Sequence, residues 1–248
     1  MEKLTFCTRC CLDGSVAEIK YDENGVCQFC HQAQKALKEI EVEKVNLDKW
    51  IKKIKEDGRH NKYDCMLGLS GGVDSSACLS WANRLGLRVF TWTMDNGYND
   101  PRADENVLRL VETLKVPLYR YVLDLNRFRD LQSAYLKAGV INIEAIYDHL
   151  LMAATYEMAD KYSTRWVLSG GNVATESIMP ASWSYPARDL TNLKSIAKAY
   201  QRRVSGVPTC GILKWNWYKW VKGIKVFYLL DYLDYNREES EQMLIDKY

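Results

Sequence analysis

Short apolar segments alternate with amphipathic segments through the middle of the chain. Apolar runs predict buried strands at residues 63–69, 88–94, 118–123 and 165–168. Apolar positions at helical spacing predict helices between these strands, at residues 77–85, 104–115, 127–137 and 144–162. Alternation of this kind is typical of a parallel sheet covered by helices on both faces. We therefore expect an α/β domain that binds its ligand at the carboxyl ends of the strands.

Helical patterns flank this domain. Residues 31–57 are charged and carry an apolar stripe, with Asn46 as a candidate helix cap and Gly58 as a candidate stop. Residues 214–223 mix lysines with aromatic side chains, which predicts an amphipathic helix packed on the domain or, in a homodimer, on a second copy. A sugar platform, an RNA-stacking surface and an interfacial helix are alternatives for that segment. We expect a four-cysteine module (1–34), a helical linker (35–60), the α/β domain (61–205) and a helical C-terminal region (206–248).

Composition and charge limit the partners and the cellular location to be expected for the chain. The formal net charge of the 248-residue chain is +2, so bulk charge gives no reason to expect nucleic-acid binding. Charged residues interrupt each apolar stretch before it reaches transmembrane length, so we expect no membrane insertion. The first residues lack the apolar core of a secretory signal, which predicts a cytoplasmic location. In that compartment cysteines are more often metal ligands than disulfide partners.

Four cysteines form two C-x2-C pairs, which are Cys7, Cys10, Cys27 and Cys30. This spacing is typical of a four-cysteine Zn²⁺ site, and Gly25 suits a hairpin turn between the pairs. About thirty residues bury too little core to fold alone, so the metal would supply the folding free energy. Cys11 and His31 adjoin the pairs, and either could substitute for a neighbour. Four thiolates leave no open coordination position, so we expect a structural site.

The loop after the first predicted strand is the most specific motif. It reads Ser70-Gly71-Gly72-Val73-Asp74-Ser75-Ser76 and leads into a predicted helix. Backbone N–H groups at a helix N-terminus favour an anion, and adjacent glycines let the backbone approach it closely. Asp74 is placed to help hold Mg²⁺, and the serine hydroxyls can bond phosphate oxygens. No lysine follows the glycines, so this is not a Walker A loop and a kinase-like γ-phosphate clamp is not expected.

Polar residues also follow the second and fourth predicted strands. Asp95-Asn96-Gly97-Tyr98 comes after one, and Ser169-Gly170-Gly171-Asn172 comes after the other, with Glu176 four residues beyond Asn172. Carboxyl ends of parallel strands meet at one edge of a sheet, so we expect both segments near the phosphate loop. The glycine pair would let the backbone come close to a ligand.

The Ser70–Ser76 motif is similar to the pyrophosphate loop of the N-type ATP pyrophosphatases, which have an adenine nucleotide alpha hydrolase-like, Rossmann-like fold. With the cysteine module and the runs 91–97, 168–176, 178–180, 187–190 and 221–225, the chain resembles the bacterial N-acetyl sugar amidotransferases of O-antigen and pseudaminic or legionaminic acid pathways. The resemblance covers essentially the whole chain. The resemblance implies family members that continue past the position of Tyr248, so we expect either a truncated form or the lack of a C-terminal substrate element.

The resemblance implies an ATP-dependent, AMP-forming reaction with ATP, Mg²⁺ and Zn²⁺ as cofactors. AMP would be transferred to the acetamido oxygen of a nucleotide-activated N-acetyl sugar, and ammonia would then displace AMP to give an acetamidino group. The expected catalytic residues are Asp74, Asp95 and Glu176. The expected nucleotide-binding residues are Leu69, Ser70, Gly71, Gly72, Asp74, Ser75, Ser76, Thr93, Gly170, Gly171 and Asn172.

The ammonia source is a separate question. A glutaminase needs an N-terminal cysteine or a cysteine nucleophile with a base. Position 2 is glutamate, Cys65 and Cys78 fall in predicted core elements, and Cys210 lacks the context of a nucleophile. His60 and His149 are more typical of surface or structural positions. We therefore expect a separate glutaminase subunit that feeds ammonia to this chain.

Two other functions fit parts of the pattern. A tRNA sulfur transferase also pairs zinc knuckles with a pyrophosphate loop, but it usually needs a reactive cysteine, and no C-x-x-C pair remains outside the zinc module. The other is a non-catalytic nucleotide-binding scaffold that docks a partner through the zinc module and the aromatic tail. Pyrophosphate release distinguishes scaffold from enzyme, and tRNA binding across a salt series tests the sulfur transferase.

Overall fold

The central feature of the fold is one five-stranded sheet. The computed structural model describes residues 5–183 and 185–248. The strands are β1 (Cys65–Gly68), β2 (Val89–Asp95), β3 (Leu118–Val122), β4 (Trp166–Ser169) and β5 (Lys225–Tyr228). Their order is β3-β2-β1-β4-β5, and every neighbouring pair is parallel. The predicted parallel α/β sheet is therefore confirmed.

Helices precede, connect and follow the strands. They are α1 (Gln28–Glu43), α2 (Leu47–Gly58), α3 (Val73–Arg84), α4 (Pro101–Leu114), α5 (Leu125–Ala138), α6 (Ala145–Lys161), α7 (Val173–Glu176), α8 (Leu190–Ala199), α9 (Ile212–Asn216) and α10 (Arg237–Lys247). Short 3-10 turns lie at Lys44–Asn46, Ala181–Trp183 and Leu229–Tyr232, and a π-helical turn lies at Trp217–Val221. Among the described residues, no helix has the length and apolar character needed to cross a bilayer.

Both faces of the sheet are covered. Met66 of β1 packs into an apolar cluster with residues of α5, α6 and α8. Its neighbours Cys65 and Leu67 point to the other face and pack with residues of α2, α3 and α4. Strand side chains alternate between faces, so a strand that is buried on both sides is apolar throughout. That is why the central strands could be recognised as continuous apolar runs.

Helix α3 begins earlier than the predicted start at residue 77. Gly72 is its N-cap, with extended backbone torsions, and Val73 is the first helical residue. Asp74, Ser75 and Ser76 therefore lie in the first turn of the helix and not in the loop before it. Because the first-turn N–H groups of a helix have no intrahelical acceptor, the motif places three of its side chains beside unpaired donors.

The predicted linker forms part of the core. Helix α2 packs on the sheet through Ile51 and Ile54, and the Trp50 ring lies 6.0 Å from that of Trp166. Asn46 is at the N-cap of α2, but its side chain donates to Glu43 and makes no cap bond. The boundary expected near residue 60 therefore separates elements that share one hydrophobic cluster.

The C-terminal region, predicted as helical, contributes a strand. β5 pairs with β4 at the edge of the sheet, and Phe227 is its one buried residue. Residues 226–230 form an apolar run, but β5 is only four residues long and follows a segment with a helical pattern, so the run was assigned to the helical region. The Phe227 ring packs 4.9 Å from Tyr232 and 6.1 Å from Trp166, between centroids.

The aromatic segment is also different from the prediction. The continuous helix expected at 214–223 is instead the short helix α9 followed by a π-helical turn. Tyr218 is buried there and stacks on Tyr156 with 5.5 Å between ring centroids, whereas Trp220 is exposed. The segment thus packs on the domain through part of its aromatic surface.

We expect Phe227→Ala to lower the free energy of unfolding by about 3–5 kcal/mol, because it leaves a cavity among the rings of Trp50, Trp166 and Tyr232. The matched control is Val226→Ala on the same strand, where the side chain is 41% exposed and the change should stay within about 1 kcal/mol. Urea denaturation followed by circular dichroism measures both. Equal losses for the two variants would contradict the integration of β5 into the core.

Candidate functional site

The candidate site lies where the strand order reverses. β1 and β4 are neighbours in the sheet, but the chain leaves β1 towards β2 and leaves β4 towards β5. The connections after β1 and β4 therefore diverge and open a crevice at the carboxyl ends of the two strands, which is where parallel α/β sheets bind ligands. The phosphate loop follows β1, and the Gly170-Gly171 pair follows β4.

Glycines let three backbone segments meet at this crevice. Gly71 has a φ of +79°, and a Cβ there would lie 2.2 Å from the carbonyl oxygen of Ala103 in α4. A Cβ on Gly170 would lie 2.8 Å from the backbone nitrogen of Ser75 in α3. No other residue fits either position without moving the backbone. The loop after β4 is thereby held directly against the first turn of α3.

Serine hydroxyl groups form hydrogen bonds within the phosphate loop. The Ser70 Oγ lies 3.1 Å from the Ser75 Oγ, and the Gly72 N–H donates to the Ser70 Oγ at 3.3 Å. The Ser75 hydroxyl donates to the Gly72 carbonyl at 3.2 Å, and the Ser76 N–H donates to the same carbonyl. The N–H groups of Val73, Asp74 and Ser75 have no acceptor among the described residues, as expected at a helix start. The loop is thus a preformed site for an anion.

Three carboxylates gather beside this loop, on Asp74, Glu176 and Asp231. Burial raises the pKa of Glu176, and the negative charges of Asp74 and Asp231 raise it further. Burial also raises the pKa of Asp231, although the Val173 N–H that donates to it at 2.8 Å opposes the shift. Within residues 5–183 and 185–248, no basic side chain forms a salt bridge with any of the three. Uncompensated carboxylate oxygens next to a phosphate site fit a hard cation such as Mg²⁺.

A tyrosine from the C-terminal region contacts one of these three carboxylates. The Tyr235 hydroxyl donates to one oxygen of the Asp74 carboxylate. Burial raises the pKa of Tyr235 and the Asp74 carboxylate raises it further, so the hydroxyl keeps its proton and acts as the donor. The sequence did not predict Tyr235 or Asp231 as site residues, because neither belongs to a local motif. Only the tertiary structure brings Tyr235 to Asp74 and Asp231 close to Glu176.

A cavity of about 560 Å³ opens beside the loop, large enough for a nucleotide. Of the predicted site residues, Leu69, Ser70, Thr93 and Gly170 are the ones found among the described residues that line it. The N–H of Leu69 donates to the Trp92 carbonyl at 2.8 Å, which extends the pairing of β1 with β2 up to the loop. Helix α6 contributes a wall of the cavity that the sequence did not predict, which consists of Tyr147, Asp148, Leu151, Met152, Thr155 and Tyr156.

Two predicted site residues have other partners. The Asp95 carboxylate accepts from the Gly97 N–H at 3.0 Å and from the Arg120 guanidinium at 3.4 Å, so it holds the turn after β2. The Asn172 side chain caps α7 by accepting the Thr175 N–H at 3.0 Å. Neither lies among the described residues that line the cavity. Gly171 is closer to the carboxylates, since a Cβ there would lie 3.1 Å from the Glu176 Oε2.

The N-terminal module brings the four predicted cysteines together. The Sγ atoms of Cys7, Cys10, Cys27 and Cys30 all lie within 4.8 Å of one another. The separations are 3.9 Å for Cys7–Cys30 and 3.7 Å for Cys10–Cys27, whereas a tetrahedral zinc with bonds of ~2.3 Å requires ~3.8 Å. The four sulfurs therefore fit Zn²⁺.

Backbone N–H groups favour the thiolate form of Cys7 in this cluster. Burial acts to raise the pKa of Cys7, but the N–H groups of Cys27 and Arg9 outweigh it and bring that pKa down to about 6. Of the two alternative ligands, Cys11 is exposed, and His31 is paired with Asp22 at 2.9 Å. Neither belongs to the group of four sulfurs.

A comparison with family models finds a match to the queuosine biosynthesis protein QueC over residues 64–167. That segment runs from the start of β1 into β4 and covers less than half of the chain. No curated protein matches the sequence. The match supports the predicted resemblance at the level of the pyrophosphate-loop superfamily, whose members use ATP, and it does not distinguish the sugar amidotransferases within it.

Solved structures with a similar chain trace include two NAD synthetases. The glutamine-dependent NAD+ synthetase from Acinetobacter baumannii in complex with ADP is 18% identical over 58% of this chain and 30% of that chain, with a TM-score of 0.42. The NH3-dependent NAD synthetase from Campylobacter jejuni is 17% identical over 85% of this chain and 93% of that chain, with a TM-score of 0.40. The chain thus spans less than a third of the Acinetobacter enzyme.

The NMN synthetase from Francisella tularensis has 14% identity over 84% of this chain and 93% of that chain, with a TM-score of 0.40. Similarities of this size do not define a family.

We expect the purified chain to contain about one equivalent of zinc and to lose it on Cys7→Ser, because three thiolates leave the tetrahedron open. Cys11→Ser is the matched control and should keep the metal. Inductively coupled plasma mass spectrometry measures the zinc, and thermal melting with and without a chelator measures its contribution to stability. Zinc retained by Cys7→Ser, or lost by Cys11→Ser, would contradict this ligand set.

We expect Glu176→Gln to raise the melting temperature of the metal-free chain at neutral pH. The raised pKa means that the folded state binds a proton at Glu176 more readily than the unfolded state does, so the charged form destabilises the fold above that pKa. The gain should therefore shrink as the pH falls and wild-type Glu176 becomes protonated. Differential scanning calorimetry across pH measures it, with exposed Glu112→Gln as control. A lower melting temperature for Glu176→Gln at neutral pH would refute the expectation.

Proposed function

We propose that the chain is an ATP-dependent amidotransferase that replaces the acetamido oxygen of a nucleotide-activated N-acetyl sugar with ammonia. The observation that carries the proposal is that the phosphate loop adjoins the uncompensated carboxylates and, through Ser70, a cavity of about 560 Å³ that Gly170 also lines. A loop without a lysine favours release of pyrophosphate over transfer of the γ-phosphate. The sugar substrate is inferred from the resemblance of the motifs along the chain.

The reaction would proceed in two steps. An amide carbon is a poor electrophile, because resonance with the nitrogen reduces its positive charge. The acetamido oxygen attacks the α-phosphorus of ATP, the bond between the α and β phosphates breaks, and pyrophosphate leaves. Ammonia then adds to the activated carbon and loses a proton, and AMP departs with the former carbonyl oxygen to leave the acetamidino group.

Each predicted residue has a role in this scheme. The first-turn N–H groups of α3, with Ser70, Gly71, Gly72, Ser75 and Ser76, would hold the departing pyrophosphate. Asp74 and Glu176 would hold Mg²⁺, which supplies positive charge to the phosphates when it is bound. Leu69 and Thr93 would contact the nucleotide, and Gly170 and Gly171 would let it approach the backbone. Asp95 and Asn172 would act indirectly, by holding the turn after β2 and the start of α7.

The buried cysteines support an external source of ammonia. Burial raises the pKa of Cys65 far above its usual range, raises that of Cys78 to about 12 and raises that of Cys210. None of the three is suited to be a thiolate nucleophile. His149 is buried and accepts the Cys210 backbone N–H at 3.3 Å, so it is structural. These observations favour a separate glutaminase subunit and weigh against sulfur transfer by these cysteines.

The match to the QueC family model favours a second candidate. In that alternative, the same phosphate loop would activate a modified nucleoside, or its base, in place of a sugar. The identity of the acceptor therefore separates the two candidates.

We expect the chain with Mg²⁺, ATP, ammonium and nucleotide-activated acetamido sugars to release AMP and to replace one oxygen of the sugar with one NH. Mass spectrometry detects the product, and chromatography separates AMP from ADP. Glutamine in place of ammonium should give no product without a glutaminase. Release of ADP, or modification of a nucleoside acceptor alone, would overturn the proposal.

Gly71→Ala should abolish product formation, because its Cβ meets the backbone of α4. Gly223→Ala is the matched control: its φ is +67°, so it carries similar backbone strain, but nothing lies within 4 Å of its Cβ position. Equal loss of activity in both variants would show that strain in general, and not the loop, is responsible.

A further inference from the structure

The segment from Leu229 to Tyr248 is fixed against the domain at both of its ends. Leu229 and Leu230 are fully buried in the cluster that contains α3. At the far end, α10 packs along α3, where the Tyr248 hydroxyl lies 3.0 Å from the Ser80 Oγ. The segment therefore has little freedom to move relative to the helix that carries the phosphate motif.

Between these two ends, the backbone around Tyr235 is held by polar contacts. Asp234 accepts from the Lys44 ammonium at 2.7 Å. The Asn236 side chain caps α10 by accepting the N–H groups of Glu238 at 2.9 Å and Glu239 at 3.2 Å. Residues on both sides of Tyr235 are thus anchored, so its side chain is presented to Asp74 in one orientation.

The same segment touches both elements that carry the candidate metal ligands. Tyr235 donates to the Oδ1 of Asp74 on α3, and the Asp231 Oδ1 accepts the Val173 N–H at the start of α7, which carries Glu176. The hydrogen bond fixes the rotation of the Asp74 carboxylate and leaves its second oxygen, Oδ2, without a partner in the described residues. Such outer contacts orient carboxylates for metal binding.

We infer that Tyr235 is a positioning residue that orients the Asp74 carboxylate for a divalent cation at the phosphate loop. The inference rests on the proposed function, because it takes that cation to be the one that accompanies ATP. Tyr235 itself does not touch the metal or the nucleotide. Its effect is to keep one oxygen of Asp74 aimed at the site.

The test compares Tyr235→Phe with Tyr248→Phe. Each variant removes one hydroxyl that bonds α3 to the C-terminal segment, but only the first bonds Asp74. Electron paramagnetic resonance measures Mn²⁺ binding in the presence of the non-cleavable analogue α,β-methylene-ATP, and thermal melting checks that both variants are folded. We expect Tyr235→Phe to weaken Mn²⁺ binding by about tenfold or more, and Tyr248→Phe to leave it within about twofold.

Unchanged Mn²⁺ binding in Tyr235→Phe, or equal weakening in both variants, would overturn the inference, and so would a wild-type chain that binds no Mn²⁺. In the AMP assay, excess Mg²⁺ should restore the rate of Tyr235→Phe if the hydroxyl acts through the metal. The proposed function fails in a different way. A wild-type chain that binds Mn²⁺ with the analogue but releases no AMP with any acetamido sugar would refute that function, while the Tyr235 effect on Mn²⁺ would still stand.

Discussion

The structure depends on direct contact between backbones at the reversal point of the sheet. Gly71 lies against α4, and Gly170 lies against the first turn of α3, with no room for a Cβ at either position. These contacts hold the loops after β1 and β4 close enough to share one ligand. They also hold the start of α3, with its unpaired N–H groups, beside the loop after β4. Any side chain at these positions would separate the two loops.

Negative charge is the second constraint on the candidate site, and it lowers the stability of the folded state. Asp74, Glu176 and Asp231 bring negative charge together without a basic partner among the described residues. Part of the repulsion is offset locally: the α3 N-terminus favours Asp74, the Val173 N–H bonds Asp231, and Tyr235 bonds Asp74. The remaining repulsion between the carboxylates favours the binding of a cation. Accumulated repulsion of this kind is common where a site is shaped for a ligand at the expense of the fold.

The cysteine module also has features that are unfavourable without a bound cation. Its small apolar cluster is centred on Cys7, Cys27 and Cys30, with few other buried side chains around them. Burial raises the pKa of Cys30, and the neighbouring thiols raise it further, whereas backbone N–H groups lower that of Cys7. A bound Zn²⁺ would remove this conflict and supply stability that so small a core lacks. At both sites a bound cation would balance negative charge that the neighbouring protein groups leave uncompensated.

The sequence by itself determined the features that rest on short-range pattern. Continuous apolar runs marked the central strands, adjacent glycines marked the phosphate loop, and C-x2-C pairs marked the sulfur cluster, because each is encoded within a few residues. Tertiary structure alone decided that β5 joins the sheet, that Asp95 pairs with Arg120 and that Tyr235 reaches Asp74. The last two residues are 161 positions apart in the chain. Contacts of that range follow from how helices pack and strands pair, and no local spacing carries that information.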